Sequence, residues 1–179
     1  GNSDEIQVEV EPKTYVHIRR HPSPEARFSL LFFHGNGEIV SDYDNFAEVF
    51  SALGAELVMA DFRGYGRSSG FPTLRNSLED AHKVFEQLKS TGKLKEKVCI
   101  MGRSLGSAPT LELCAKRSDI AACILESGYA DPIPLVERRG LKIDKTTPEE
   151  DALFNNSEKI RMVRCPLLIM HGAEDALIF

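Results

Sequence analysis

Polar and apolar positions alternate at the start of the chain and then give way to unbroken apolar runs. Ile6-Gln7-Val8-Glu9-Val10 alternates strictly, and Tyr15-Val16-His17-Ile18-Arg19 does so in part. With Glu11-Pro12-Lys13 between them, these segments predict an antiparallel hairpin with one solvated face. Turn chemistry follows in Pro22-Ser23-Pro24. Phe28-Ser29-Leu30-Leu31-Phe32-Phe33 is then nearly all apolar, as a strand covered on both faces requires. The segments 56–60, 98–101, 120–125 and 166–170 repeat that pattern.

Helical spacing fills the intervals. Phe46, Val49, Phe50 and Leu53 fall at i, i+3, i+4 and i+7 and predict a core-facing helix that Gly54 ends. Leu74, Leu78, Ala81, Phe85 and Leu88 line one face of a second helix, with Gly92 just beyond it. A third is predicted from about Leu105 to Lys116, where Pro109 is tolerable near the first turn. Residues 131–164 are largely polar, carry Pro132, Pro134 and Pro148, and lack sustained periodicity. Strands alternating with helices predict right-handed crossovers and an α/β fold with a doubly wound, mainly parallel sheet in a single domain, 1–179. Ligands in such sheets bind beyond the carboxyl ends of the strands. The loops that matter are therefore 34–37, 61–66, 102–106, 126–131 and 171–175.

Composition removes several functional classes. The 22 basic and 27 acidic side chains give a net charge of −5, which is no footprint for nucleic acid. No apolar run approaches the roughly 20 residues a transmembrane helix needs, so no transmembrane segment is expected. The polar start shows no signal-peptide pattern. Cys99, Cys114, Cys123 and Cys165 show no metal-type spacing and lie mostly among apolar residues, which suggests buried, reduced thiols and a cytoplasmic setting.

Gly102-Arg103-Ser104-Leu105-Gly106 lies between a predicted strand and a predicted helix. That is the context of a nucleophile elbow, a serine on a tight turn with its hydroxyl held above the sheet. Acyl transfer at serine further needs a base, an acid to orient the base, and donors for the developing oxyanion. His34-Gly35-Asn36-Gly37 follows the first long apolar strand, where an oxyanion loop belongs. The backbone amides of Asn36 and Leu105 are the candidate donors, and Gly35 and Gly37 are candidate substrate contacts. Asp175, directly after the last strand and downstream of Ser104, is the candidate acid, ahead of Asp131 and Asp61. Asp61-Phe62-Arg63-Gly64-Tyr65-Gly66-Arg67-Ser68 reads as a structural brace beside the nucleophile.

Taken in order, Phe33-His34-Gly35-Asn36-Gly37, Asp61-Phe62-Arg63-Gly64-Tyr65-Gly66, Gly102-Arg103-Ser104-Leu105-Gly106 and His171-Gly172-Ala173-Glu174-Asp175 resemble the α/β-hydrolase superfamily over about residues 28–175. The resemblance is strongest to its small-capped serine hydrolases, including the acyl-protein thioesterase (depalmitoylase-like) branch. It implies Ser104 as nucleophile, Asp175 as triad acid, residues 131–164 as a short cap, and cleavage of a carboxylic ester or thioester. The substrate would be a small molecule or an acylated protein, and no metal or organic cofactor is implied. Members of the family carry the catalytic histidine one strand beyond the acid. None of His17, His21, His34, His82 and His171 stands there, so the sheet is expected to be incomplete at its C-terminus. These 179 residues are then nearly inactive without the missing base. The alternative is a non-catalytic ligand-binding protein on the same fold.

Overall fold

A computed structural model describes residues 3–137, 146–176 and 178 of the protein. Among them, β1 (Asp4–Glu11), β2 (Thr14–His21), β3 (Phe28–Phe33), β4 (Ala55–Ala60), β5 (Val98–Arg103), β6 (Ala122–Glu126) and β7 (Leu167–Met170) form one sheet. Its spatial order is β1-β2-β4-β3-β5-β6-β7. The alternating segments pair as the expected antiparallel hairpin, and β2 joins β4 antiparallel. From β4 through β3, β5 and β6 to β7 every pairing is parallel. The mainly parallel sheet predicted from the apolar runs is thus present.

Those runs are apolar because each central strand feeds two cores. Leu31 and Phe33 of β3, Val58 and Ala60 of β4 and Ile100 of β5 pack on one face. Leu30 and Phe32, Leu57 and Met59, and Met101 pack on the other. The first face is covered by α2 (Leu74–Ser90) and α3 (Ser107–Lys116). In α2 the predicted stripe holds: Leu78, Ala81, Phe85 and Leu88 are buried and Leu74 is partly so. Thr73 caps its first turn by accepting the Asn76 amide, and Gly92, at φ +66, follows its end.

The opposite face is covered by a 3₁₀ turn over Val40–Phe46 and the short α1 (Ala47–Ala52). Here the predicted stripe holds only at Phe50. Phe46, Val49 and Leu53 are 51, 56 and 63 % exposed. Val40, Tyr43 and Ala47 pack on the sheet alongside Phe50. The 3₁₀ start winds three residues per turn and so changes the phase at which α1 meets the core.

Expected β6 also begins two residues late, because Ile120 is buried in the approach and the Ala121 amide bonds the Val98 carbonyl at 2.8 Å. The segment 131–164 contains α4 (Ile133–Glu137), α5 (Pro148–Phe154) and α6 (Asn156–Met162). Residues 138–145 of the expected cap lie outside the described residues. Helix α6 packs on α3, where Lys159 pairs with the buried Glu112 at 2.6 Å. On β7, the edge strand opposite β1 among the described residues, Leu167, Leu168, Ile169 and Met170 are 40–54 % exposed.

Phe85 is fully buried beneath the Arg117 guanidinium, which stacks 4.3 Å from its ring centroid. Phe85→Ala is therefore expected to lower stability by about 3–5 kcal/mol. Phe71, 78 % exposed on a loop, should tolerate the same change within about 0.5 kcal/mol. Urea unfolding of the two variants checks this order.

Candidate active site

The parallel strands deliver their loops to one edge of the sheet, and the sharpest turn there is the one after β5. Ser104 has φ +48, the left-handed region that a non-glycine residue enters only under constraint. The constraint is steric. A Cβ at Gly106 would lie 1.9 Å from the Phe33 carbonyl oxygen, and one at Gly102 would lie 2.2 Å from the Gly106 oxygen. Bare backbone therefore presses the turn over Ser104–Gly106 onto β3. Inside the turn, the Ser107 hydroxyl donates to the Ser104 carbonyl at 2.7 Å. Among the described residues the Ser104 hydroxyl has no hydrogen-bond partner.

Because β3 ends at Phe33, pinning Gly106 there sets the 34–37 loop beside the turn. Asn36, Ser104 and Leu105 line one cavity of about 170 Å³, together with Leu74, Tyr129, Pro132 and Leu135. Leu74 and Pro132 also line a larger cavity of about 740 Å³ whose wall includes Asp131, Ile133, Glu150, Asp151 and Phe154. The sequence-derived nucleophile and both candidate oxyanion residues thus meet at one cavity. Gly35 and Gly37 belong to the same loop but are not in the cavity lining. Asp175 reaches the same sheet edge after β7, two strands from β5. It is not among the lining residues either. Its carboxylate accepts the Ile178 amide at 2.9 Å and lies 3.4 Å from His171 Nε2.

The other histidines have separate duties. His34 is fully buried, contacting its neighbour's Gly35 carbonyl through Nδ1 at 2.8 Å and packing edge-on against Phe62 at 4.9 Å. His17 meets Asp61 Oδ2 through Nδ1 at 3.0 Å and meets Glu5 through Nε2. Asp61 also accepts the Val40 amide at 3.0 Å and lies 3.3 Å from His34 Nε2. This buried carboxylate ties β2, the end of β4 and both ends of the 34–40 segment together. Arg63 grips Asp80 of α2 with two hydrogen bonds of 2.7 Å and reaches Glu11 at 2.8 Å. These contacts make the 61–68 segment a brace.

Sequence reasoning did not single out Glu38, Tyr43, Tyr129 or Leu135. Glu38 adjoins the 34–37 motif, and that proximity is the one signal it offered. The rest come together only through tertiary contact. No group of three or more His, Cys, Asp or Glu among the described residues is arranged to hold a metal ion.

Residues 24–148 match the family model described as serine aminopeptidase, S33, within the hydrolases. The chain is 36 % identical over 161 residues to the α/β hydrolase domain-containing protein aho-3 of Caenorhabditis elegans, covering 88 % of this chain and 46 % of that one. It is 36 % identical over 158 residues to human α/β hydrolase domain-containing protein 17B, covering 87 % and 53 %. The chain spans about half the length of these curated relatives. In structure it resembles an esterase of Pyrococcus furiosus with a TM-score of 0.77 at 17 % identity, over 99 % of this chain and 73 % of that one. It also resembles Est1E of Butyrivibrio proteoclasticus, solved with ferulic acid, with a TM-score of 0.78 at 20 % identity, over 97 % and 80 %. The chain belongs to the α/β-hydrolase superfamily.

Two outcomes follow from this geometry. Gly106→Ala forces a methyl group into backbone and should cost about 3 kcal/mol or more. Gly37→Ala, at φ +80 with open space around it, should cost only about 1–2 kcal/mol. Equal losses in urea unfolding would remove the steric argument. The second outcome concerns pH. Burial raises the Asp61 carboxyl, but His17, His34 and the Val40 amide outweigh it and hold it well below the usual range. The Asp61 hydrogen bond raises His17 above its ordinary value against the opposing effect of burial, with Glu5 adding to the rise. A depressed carboxyl contributes stability that is lost as pH falls, whereas a raised histidine contributes stability that is lost as pH climbs from about 6.5 upward. Wild type should therefore lose more stability between pH 6 and pH 9 than His17→Gln does, measured as the shift in urea midpoint.

Proposed function

We propose that the whole protein is a serine hydrolase that cleaves a carboxylic ester or thioester through an acyl-enzyme on Ser104. One observation carries the reading: a serine at φ +48 on the strand-to-helix turn shares a cavity with Asn36 and Leu105. Ser104 Oγ attacks the acyl carbon while its proton passes to a histidine base. The bond from acyl carbon to oxygen or sulfur then breaks, and the base returns the proton to the departing alcohol or thiol. Water, deprotonated by the same base, attacks the acyl-enzyme, releases the acid and restores the serine.

The amides of Asn36 and Leu105 hold the negative oxygen of each tetrahedral intermediate, where one such donor is worth roughly 10²–10³ in rate. Asp175 orients the base, a histidine that lies outside these 179 residues. The apolar wall from Leu74, Leu105 and Leu135 suits an acyl chain. A small-molecule ester or an acylated protein is the substrate class, in keeping with the acyl-protein thioesterase resemblance. The relatives named as α/β hydrolase domain proteins support the superfamily and leave the ester to be found by experiment.

No helix among the described residues is long and apolar enough to cross a membrane. Their four cysteines are free thiols, and we read the compartment as cytoplasmic on that ground. A second reading is a ligand-binding protein without catalysis, which the fold by itself also allows. Fluorophosphonate labelling of the whole protein separates the two. Labelling is expected in wild type and lost in Ser104→Ala, while a folded wild type that stays unlabelled would overturn the hydrolase reading.

A further inference from the structure

We infer that Glu38 and Arg103 form a positioning pair that locks the loop of one oxyanion donor onto the turn that carries the nucleophile. The inference deepens the proposed function and rests on it. Glu38 Oε2 accepts the Gly35 amide and the Tyr43 hydroxyl, each at 2.7 Å. Its other oxygen accepts Arg103 Nη1, also at 2.7 Å. One carboxylate therefore joins the residue before Asn36 to the residue before Ser104.

The carboxylate lies flat against that loop, since a Cβ on Gly35 would sit 3.1 Å from all three atoms of the group. Tyr43, held edge-on against Phe32 at 5.0 Å between ring centroids, fixes the carboxylate from the core side. Burial pushes the Tyr43 phenol up to about 12, so it stays a neutral donor at ordinary pH. Arg103 lies 3.3 Å from the Tyr43 oxygen through Nη1 and 3.6 Å from Glu126 Oε1 through Nε. It thereby reaches the end of β6 as well.

The sign of the charges gives the pair a signature that a plain structural contact lacks. An unpaired Glu38 carboxylate would stand one residue from the amide that must bind a developing negative oxygen, and it would oppose that charge. The Arg103 guanidinium neutralises it. Removing the carboxylate loosens the loop only. Removing the guanidinium loosens the loop and also exposes the reaction to a bare negative charge.

The test uses the whole protein with p-nitrophenyl butyrate. Glu38→Gln should lower kcat roughly tenfold and Arg103→Met roughly a hundredfold, each with KM within about twofold of wild type. The double variant should turn over faster than Arg103→Met alone, because the opposing charge has gone. Wild-type kcat in both single variants would overturn the pair. So would a change confined to KM, or a double variant no faster than Arg103→Met. Absence of Ser104-dependent turnover in wild type would instead overturn the hydrolase reading and the pair with it. Should Glu38→Gln fail to fold by circular dichroism, Tyr43→Phe takes its place. That variant removes one hydroxyl from the same carboxylate and should lower kcat roughly fivefold. Unchanged turnover there overturns the inference.

Discussion

The contact between Gly106 and the Phe33 carbonyl is the constraint on which the rest of the site depends. With 1.9 Å between a would-be Cβ and that oxygen, the turn after β5 is seated on the end of β3 by its backbone alone. Two consequences are geometric. Helix α3 must start where β3 stops, and the 34–37 loop must begin within reach of Ser104. The left-handed backbone at Ser104 is a third, because a chain entering from β5 and leaving along α3 has no wider path. Strain of this kind costs on the order of 1–3 kcal/mol and persists only where neighbours over-determine it. Here the neighbours are two packed strands and a helix.

Charge supplies the second scaffold, at the places where apolar packing runs out. Loops at the end of a parallel sheet carry amide groups that no ladder satisfies. Asp61 accepts one such amide from Val40 and contacts His17 and His34 besides, so one buried carboxylate adds directional contacts among three segments that also pack on the sheet. Arg63 does the same between Asp80 and Glu11. Buried pairs of this sort add little net stability over a well-packed apolar substitute, yet removing one partner strands the other. Their gain is position. Loops fixed by several directional bonds have one arrangement.

The parts of this design that were legible in the sequence are those governed by local pattern. Apolar runs mark strands covered on both faces, and the Leu78–Leu88 stripe marks α2, because side-chain periodicity reports burial directly. The tight turn over 102–106 was legible as a candidate elbow because its glycines flank a serine between an apolar run and a helical segment. Helix α1 was misread for a reason in the sequence itself. Val40, Tyr43 and Ala47 lead into Phe50 on one stripe, Phe46, Val49 and Leu53 flank Phe50 on the predicted one, and only the 3₁₀ entry decides between them. Glu38 and Arg103 are 65 positions apart. Nothing in either neighbourhood encodes their meeting, which the register of β3 against β5 brings about.

Fold alone leaves enzyme and binding protein equally open, since either could use the same sheet and the same seated turn. The proposed reading rests on the residue at position 104. A glycine there would relieve the left-handed strain, and a binding pocket would lose only a hydroxyl that bonds no described residue. Lys13 and Ser127 also occupy this backbone region, Lys13 in the tight turn of a hairpin and Ser127 directly after β6. At Ser104 the strain lifts a hydroxyl to the wall of a cavity shared with Asn36 and Leu105.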